Sequence, residues 1–462
     1  MSHAADYVVI GAGPAGMAAA ASAARLGVET LLIDEQPAPG GQIYRGVEGA
    51  AQSTSVVSAS DWTRGAALAA EFRASGARYL PGTQVWQLEA PAKVYVTDGI
   101  AARRLDARRV LLATGAMERP MPLPGWTLPG VMSIGGAQIL YKSSGWLPPP
   151  GTWIAGSGAL LWLYAAQALE AGARIAGVLD TTPSRNYLRA LRYAAGALRH
   201  PEYLNRGLAL KRRVHGAGVT VVNDVTEIEA QGGDALAGIR FCARGRWHEH
   251  AAAMLLLHQG VVPHAHATLS LGAAHRWLPV QRALAPVVDR WGNVSIEGYA
   301  AAGDCAGIVG AEAAALQGRL AALDTACALG TINRDRRDRE AAPLRRELEA
   351  HVAARPFIDR LFLPRDNFLA PADEVLVCRC ESISARQIRA AVGLGCVGPN
   401  QMKAYTRCGM GPCQGRMCGL TACEIIARAR GLAPEAVGVF NVRPPLKPLS
   451  VRELAALPSA SD

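Results

Sequence analysis

Apolar runs and glycine-rich breaks alternate along the first 45 residues in the order strand, turn, helix, strand. DYVVI is a short buried run, GAGPAG at residues 11–16 is the turn, AGMAAAASAARLG is a strong helix former, and VETLLID is a second buried strand ending at Asp34. A second segment with the same order starts near residue 152, in TWIAGSGALLWLYAAQALEAGARIAGVLD. A third apolar strand, VLLATG, runs into Thr114 and Gly115 and is followed by a proline-rich stretch where the chain can leave one domain for another. Residues 298–326 give a short strand, a turn at Gly303 and Asp304, and a helix beginning near Gly310. This patterning predicts an α/β protein with two dinucleotide-binding units, the first of them discontinuous and closed by a segment from beyond the second.

The first unit has chemistry to match its pattern. Gly11 permits a tight turn, Gly13 lets the backbone approach a pyrophosphate, and Gly16 lets helix and strand pack closely, so the helix amides and dipole face the phosphates. Asp34, 18 residues beyond Gly16, stands where a carboxylate accepts hydrogen bonds from a ribose. Asp304 is placed to meet a ribityl hydroxyl, and the helix after Gly310 to aim its amino end at a flavin carbonyl. In the second unit Gly156 and Gly158 fill the first two glycine positions, but Leu161 takes the third, so the helix should sit farther from its strand; Asp180 would suit a ribose. A second nucleotide, NAD(P) or ATP, and a structural relic of the same fold both remain open here.

Composition narrows the classes. Half of the 462 residues are hydrophobic and 19% are charged, which excludes a disordered chain, and the length allows roughly three domains of ~150 residues. The net charge of +10 comes largely from dispersed arginines, and aromatics are only 6%, so no nucleic-acid platform is expected. No apolar run reaches the ~18 residues of a membrane span, and Met1–Tyr7 carries no basic n-region, so a cytoplasmic protein is expected. Residues 331–360 are charged and helix-favouring, a solvated linking helix; FNVRPPLKPLSVRELAAL at the end is expected to lie extended over another surface.

Cysteines are concentrated at one end, with seven of the ten between Cys378 and Cys423. Cys378 and Cys380 form a CxC pair, Cys413 and Cys418 flank QGRM, and the surrounding glycines free backbone amides for sulfur. Four thiolates suit a 2Fe-2S cluster, which we favour, or structural zinc. Cys408 is a fifth candidate, and a 408/413 pairing is the alternative. Cys242, Cys305 and Cys327 read as core residues. His258, His264, His266 and His275 fit no ligand spacing and read as solvent or interface histidines. Glu312 either faces the flavin or stabilises its helix start. No acid, base or nucleophile is nominated.

The motifs together resemble a known family. GAGPAG, GGQIYR at residues 40–45, ATGAMERPMPLPG, GSGALL, AGDCAGIVGAEAAALQG and GMGPCQGRMC resemble, over nearly the whole chain, the alpha (A) subunits of heteromeric FAD-dependent amino-acid dehydrogenases. That family includes opine oxidases, dye-linked proline and hydroxyproline dehydrogenases and the middle subunit of cyanide synthase. The resemblance implies two glutathione-reductase/thioredoxin-reductase-like domains plus a small helical C-terminal domain similar to bacterioferritin-associated ferredoxin, carrying a 2Fe-2S cluster. The implied boundaries are 1–125 with 285–330 for FAD, 126–284 for the second unit, 331–372 for a helical linker, 373–440 for the iron-sulfur domain and 441–462 for an extended tail. Carried over by position, Gly11, Gly13 and Gly16 cradle the FAD pyrophosphate, Asp34 or Glu35 holds the ribose, Gly41 and Gln42 approach the flavin, Thr114 and Gly115 line it, and Gly303 with Asp304 holds the ribityl-phosphate region. Cys378, Cys380, Cys413 and Cys418 are the implied cluster ligands. The implied partners are a small ferredoxin-like subunit and an amino-acid-oxidase-like flavoprotein subunit, with membrane association only through the complex. The resemblance also rules out disulfide reduction, because GVMSIGGAQ holds no cysteine. The competing reading is a self-sufficient NAD(P)H oxidoreductase.

Overall fold

In the computed structural model, residues 5–49 and 59–457 are described; residues 1–4, 50–58 and the last part of the expected tail, 458–462, lie outside them. Strand Ala5–Ile10 is buried along nearly its whole length and pairs in parallel with Thr30–Ile33 on one side and Ala102–Leu112 on the other. Such runs, apolar on both faces, belong in the middle of a covered parallel sheet. Arg78–Leu80 and Tyr299–Ala301 extend the parallel part, so the segment after residue 298 does return to the first unit. A hairpin, Gln84–Glu89 with Lys93–Thr97, adds to the early half of Ala102–Leu112 in antiparallel sense.

Helix Pro14–Arg25 covers this sheet, with proline at its start and almost every alanine buried. It packs tightly against helix Ala311–Ala328: a Cβ on Gly318 would lie 2.1 Å from the Ala15 carbonyl oxygen.

The second unit is a five-stranded parallel sheet in the spatial order Thr220–Asn223, Ile175–Asp180, Thr152–Ser157, Met254–Gln259, Val131–Ser133. An antiparallel three-stranded meander, Val225–Gly232, Leu236–Ala243 and Arg246–Ala251, packs beside it. The chain crosses between units on two short strands, Ala116–Glu118 outward and Val261–Pro263 back, which pair with each other.

Helix Arg334–Leu361 follows, capped by the Asn333 side chain, mostly exposed but burying Ala341, His351 and Ala354. The C-terminal domain is built from helices Ala385–Gly393, Pro399–Thr406 and Gly419–Arg430 around their own apolar core. From Asn441 the chain runs without regular structure to Ser450 and ends in a short helix, Val451–Ala455. It straps two domains together: Leu446 donates to the Trp86 carbonyl, Gln414 and Arg416 donate to the Pro445 and Leu446 carbonyls, and Lys447 pairs with Glu35.

Candidate functional site

Four strand ends of the first sheet converge: Ile10 leads into Gly11, Ile33 into Asp34, Leu112 into Thr114, and Ala301 into Gly303. Crevices at the carboxyl ends of parallel strands are where such sheets hold nucleotides. The helix after Gly13 has no side-chain cap, leaving its first amides for a ligand. Gly41 approaches Gly13 so closely that a Cβ on it would stand 2.8 Å from the Gly13 Cα. Gly16 is tighter still, its added Cβ falling 1.8 Å from the Gly11 carbonyl oxygen. Gly16→Ala is therefore expected to abolish the FAD binding that the sequence resemblance implies for this turn, read as loss of visible absorbance in the purified chain. Gly207→Ala, on an open helix face, should retain it.

The acids divide their work. Asp34 accepts hydrogen bonds from the Ala12 amide at 2.5 Å and the Gln36 amide at 2.7 Å, so it braces the glycine turn, while burial pushes its carboxyl up. Glu35 is exposed and carries Lys447 from the tail. Asp304 accepts from the Val309 and Gly310 amides, shaping the turn that starts helix Ala311–Ala328, and the Gly303 amide donates to Gln317. That helix start, like the first, has no side-chain cap. Thr114 donates to the His264 carbonyl, and the His264 amide returns a bond to Gly115, which sets this loop against the returning strand.

Sequence reasoning missed Lys142. It is 5% exposed on helix Ile134–Ser144 and donates to the carbonyls of Gln42 and Ile43 at 3.0 and 2.9 Å, locking the GGQIYR loop to the second unit. Burial pulls its ammonium down to about 8. A lone lysine on a helix gives no signal for backbone acceptors a hundred residues away.

The histidine reading needs correction at His258. It is 2% exposed, its Nδ1 lies 2.5 Å from Glu118, and its ring packs under the second glycine turn, where a Cβ on Gly158 would meet Nε2 at 2.7 Å. His264 and His266 are mostly buried, and desolvation, with the nearby Arg416 charge second, lowers them to about 4 and about 3. Their folded values lie below the ordinary 6.5, so the stability they support is present above that pH. It drains away as pH falls toward 4, because only the unfolded chain accepts the protons. Urea midpoints should decline between pH 6.5 and 4, and His264→Asn should flatten part of that slope.

The second unit differs at its acid. Asp180 is 2% exposed, its carboxylate accepts from the Thr182 amide, and Thr182 bonds Ser157. The linker crosses the same strand ends: Asn186 donates to the Leu361 and Leu363 carbonyls, and Arg365 donates to the Thr181 carbonyl. Leu161, at the third glycine position, is fully buried.

In the C-terminal domain, the sulfurs of Cys378, Cys408 and Cys418 lie within 4.8 Å of one another, all three buried. Cys380, exposed, and Cys413, half-buried, form an adjoining thiol pair. The fifth candidate thus joins the four that the CxC and QGRM spacings picked out. Hydrogen bonds from the Cys408 and Cys418 thiols draw Cys378 down to about 2, and that sharing pushes Cys408 up to about 12. Gly411 backs directly onto Cys380, where a Cβ would fall 2.2 Å from the cysteine Cβ. A donor set made only of sulfur fits iron-sulfur or zinc and no harder ion. Cys396 and Cys423 instead face the Gly398 and Pro434 carbonyls, and Cys305 is buried as a core residue.

This domain is fastened to the rest. Trp126 donates to the Leu376 carbonyl at 2.7 Å, and Arg282 grips Glu424 with two guanidinium nitrogens, its Nε at 2.8 Å. No described helix is long and apolar enough to cross a membrane.

Comparison with known proteins agrees with both halves of this picture. Residues 5–328 match the pyridine nucleotide-disulphide oxidoreductase family model, and residues 374–457 match the sarcosine oxidase A3 domain. The A-type subunit of an opine oxidase from Rhizobium meliloti is 42% identical across 98% of each chain. The HcnB subunit of a hydrogen cyanide synthase from Pseudomonas aeruginosa is 34% identical across 96% of each. Among solved structures, an L-proline dehydrogenase from P. horikoshii shares the fold at a TM-score of 0.71 and 19% identity, covering 97% of this chain and 79% of that one. Paired glycine units and a thiol-rich C-terminal domain thus sit in one continuous match, and the chain belongs to the family of opine oxidase A and HcnB subunits, flavin-dependent oxidoreductase subunits of heteromeric enzymes.

Proposed function

We propose that this chain is the electron-transfer subunit of a heteromeric FAD-dependent amino-acid or opine dehydrogenase. The observation that carries the proposal is the pairing, in one chain, of two uncapped helix starts at the ends of parallel strands with an all-thiol centre. When bound, FAD accepts electrons in pairs and releases them singly, and a 2Fe-2S cluster carries one at a time. The glycine turn at residues 11–16 and the uncapped start of Ala311–Ala328 would hold the FAD phosphates and ring, and Lys142 would fix the Gly41–Gln42 loop beside it. Cys380 and Cys413 would supply one side of the cluster, and two of the buried trio, including Cys378, the other.

The names of the relatives support an opine or other secondary amine as the substrate of the whole enzyme, oxidised on an oxidase-like partner. Exposed Met410, on the loop between Cys408 and Cys413, and exposed Tyr405 just before it are apolar contacts for a partner such as a small ferredoxin-like protein.

The NAD(P)H reading is the weaker one, since Asp180 is buried and its carboxylate is already held by the Thr182 amide, with the linker bonded to Thr181 and Asn186 beside it. Stopped-flow mixing separates the two: NADH or NADPH should leave the flavin oxidised on the timescale of turnover, and rapid bleaching would overturn the relay assignment.

A further inference from the structure

His200, Glu312 and His351 come from three distant parts of the chain, and one ligand atom of each lies within 4.8 Å of the others. His200 precedes helix Pro201–Gly216 of the second unit, Glu312 sits in the first turn of Ala311–Ala328, and His351 lies on the linker helix Arg334–Leu361. His351 is 3% exposed. Its Nδ1 is 2.7 Å from the Tyr203 hydroxyl, and its Nε2 is 3.9 Å from one oxygen of Glu312, whose other oxygen holds Arg64.

A second observation is independent of the spacing. Nδ1 of His200 is buried with no hydrogen-bond partner among the described residues, an unfavourable state for a polar atom unless something fills it. Charges of both signs surround the group: Glu312, Glu347 and Glu202 face His351, and Arg64, Arg206 and Arg355 stand near Tyr203.

We propose that His200, His351 and Glu312 bind one divalent transition-metal ion of the zinc class, distinct from the cysteine centre. Two imidazoles and a carboxylate, with water as fourth ligand, are a common zinc donor set. Tyr203 would act from outside the coordination sphere, its hydroxyl oxygen accepting a hydrogen bond from Nδ1–H of His351 so that Nε2 faces the metal. Glu312 and Tyr203 also line a cavity of about 320 Å³ with Glu202, Arg206 and Leu210, which gives a fourth ligand room. The ion would tie the flavin domain, the second unit and the linker helix at one point. This inference does not depend on the relay function.

Cobalt titration of the chelator-treated full-length protein tests it, because sulfur ligation produces intense near-ultraviolet charge transfer and nitrogen/oxygen ligation does not. One equivalent of nitrogen/oxygen-bound cobalt is expected, retained in Cys378→Ser, lost in His200→Ala and His351→Ala, and bound about 10-fold more weakly in Tyr203→Phe. Should His351→Ala fail to fold, the half-buried His200 variant and the wild-type spectrum decide the matter. Absence of a nitrogen/oxygen-bound equivalent in the wild type, or undiminished binding by His200→Ala, would mean that these rings merely stack, as their 4.4 Å centroid separation allows, and would overturn the proposal.

Discussion

Cys378→Ser is expected to strip essentially all iron from the purified chain while leaving its flavin at the wild-type level. The three buried thiols all touch one another, and Cys378 is the one that the other two hold toward the thiolate form a metal ligand needs. A serine hydroxyl is a harder, shorter ligand that a sulfur-selected metal does not favour. Transfer to a one-electron dye should then fall to background, although two-electron reduction of the flavin persists. Cys327→Ser, a half-buried helix residue remote from the centre in sequence, should keep both cofactors. Iron retained in Cys378→Ser would remove that thiol from the centre, and flavin lost with the iron would mean that the variant reports on folding instead.

The largest stability effect is expected from Arg282→Ala. Glu424 is 1% exposed, and Arg282 is its bidentate partner across the junction between the returning segment and the C-terminal domain. Removing the arginine takes from a buried carboxylate both of its guanidinium hydrogen bonds and leaves it only the nearby charge of buried Arg119, which costs about 3 kcal/mol. Denaturant unfolding followed through the C-terminal domain should show that loss, while Arg407→Ala, which breaks the exposed pair with Glu381, should change stability by no more than about 1 kcal/mol. Replacing Arg282 and Glu424 together by methionine and leucine should recover most of the loss, since the cost lies in the unpaired charge. Equal effects from Arg282→Ala and Arg407→Ala would contradict this account of how the domain is held.

The sequence-to-structure relation differs from one region to the next for physical reasons. The first glycine unit was readable because its chemistry is local: GAGPAG, its helix and Asp34 lie within one short stretch, and each residue type answers a backbone need. The thiol centre was readable as a centre from cysteine density alone. Cys408 joins the buried trio where helix Pro399–Thr406 ends at Arg407 in the left-handed conformation, a three-dimensional fact that spacing does not encode. Lys142 and the Arg282–Glu424 pair left no trace, because their partners are backbone carbonyls or distant residues. At the end of the strand that carries Asp180, nothing in the sequence announced that Asn186 and Arg365 would tie the linker to the neighbouring backbone. His258 was misread although a signal existed: it continues the buried run Met254–Gln259, and a histidine inside such a strand is a core residue that needs a partner, here Glu118.

The central claim is that one chain carries both a flavin and an iron-sulfur centre. Anaerobic absorption and electron paramagnetic resonance spectra of the purified full-length protein, before and after dithionite, test it most directly. The account predicts flavin bands over a broad iron-sulfur shoulder, with a paramagnetic signal that appears only on reduction. Flavin bands with zinc in place of iron and no such signal would contradict it.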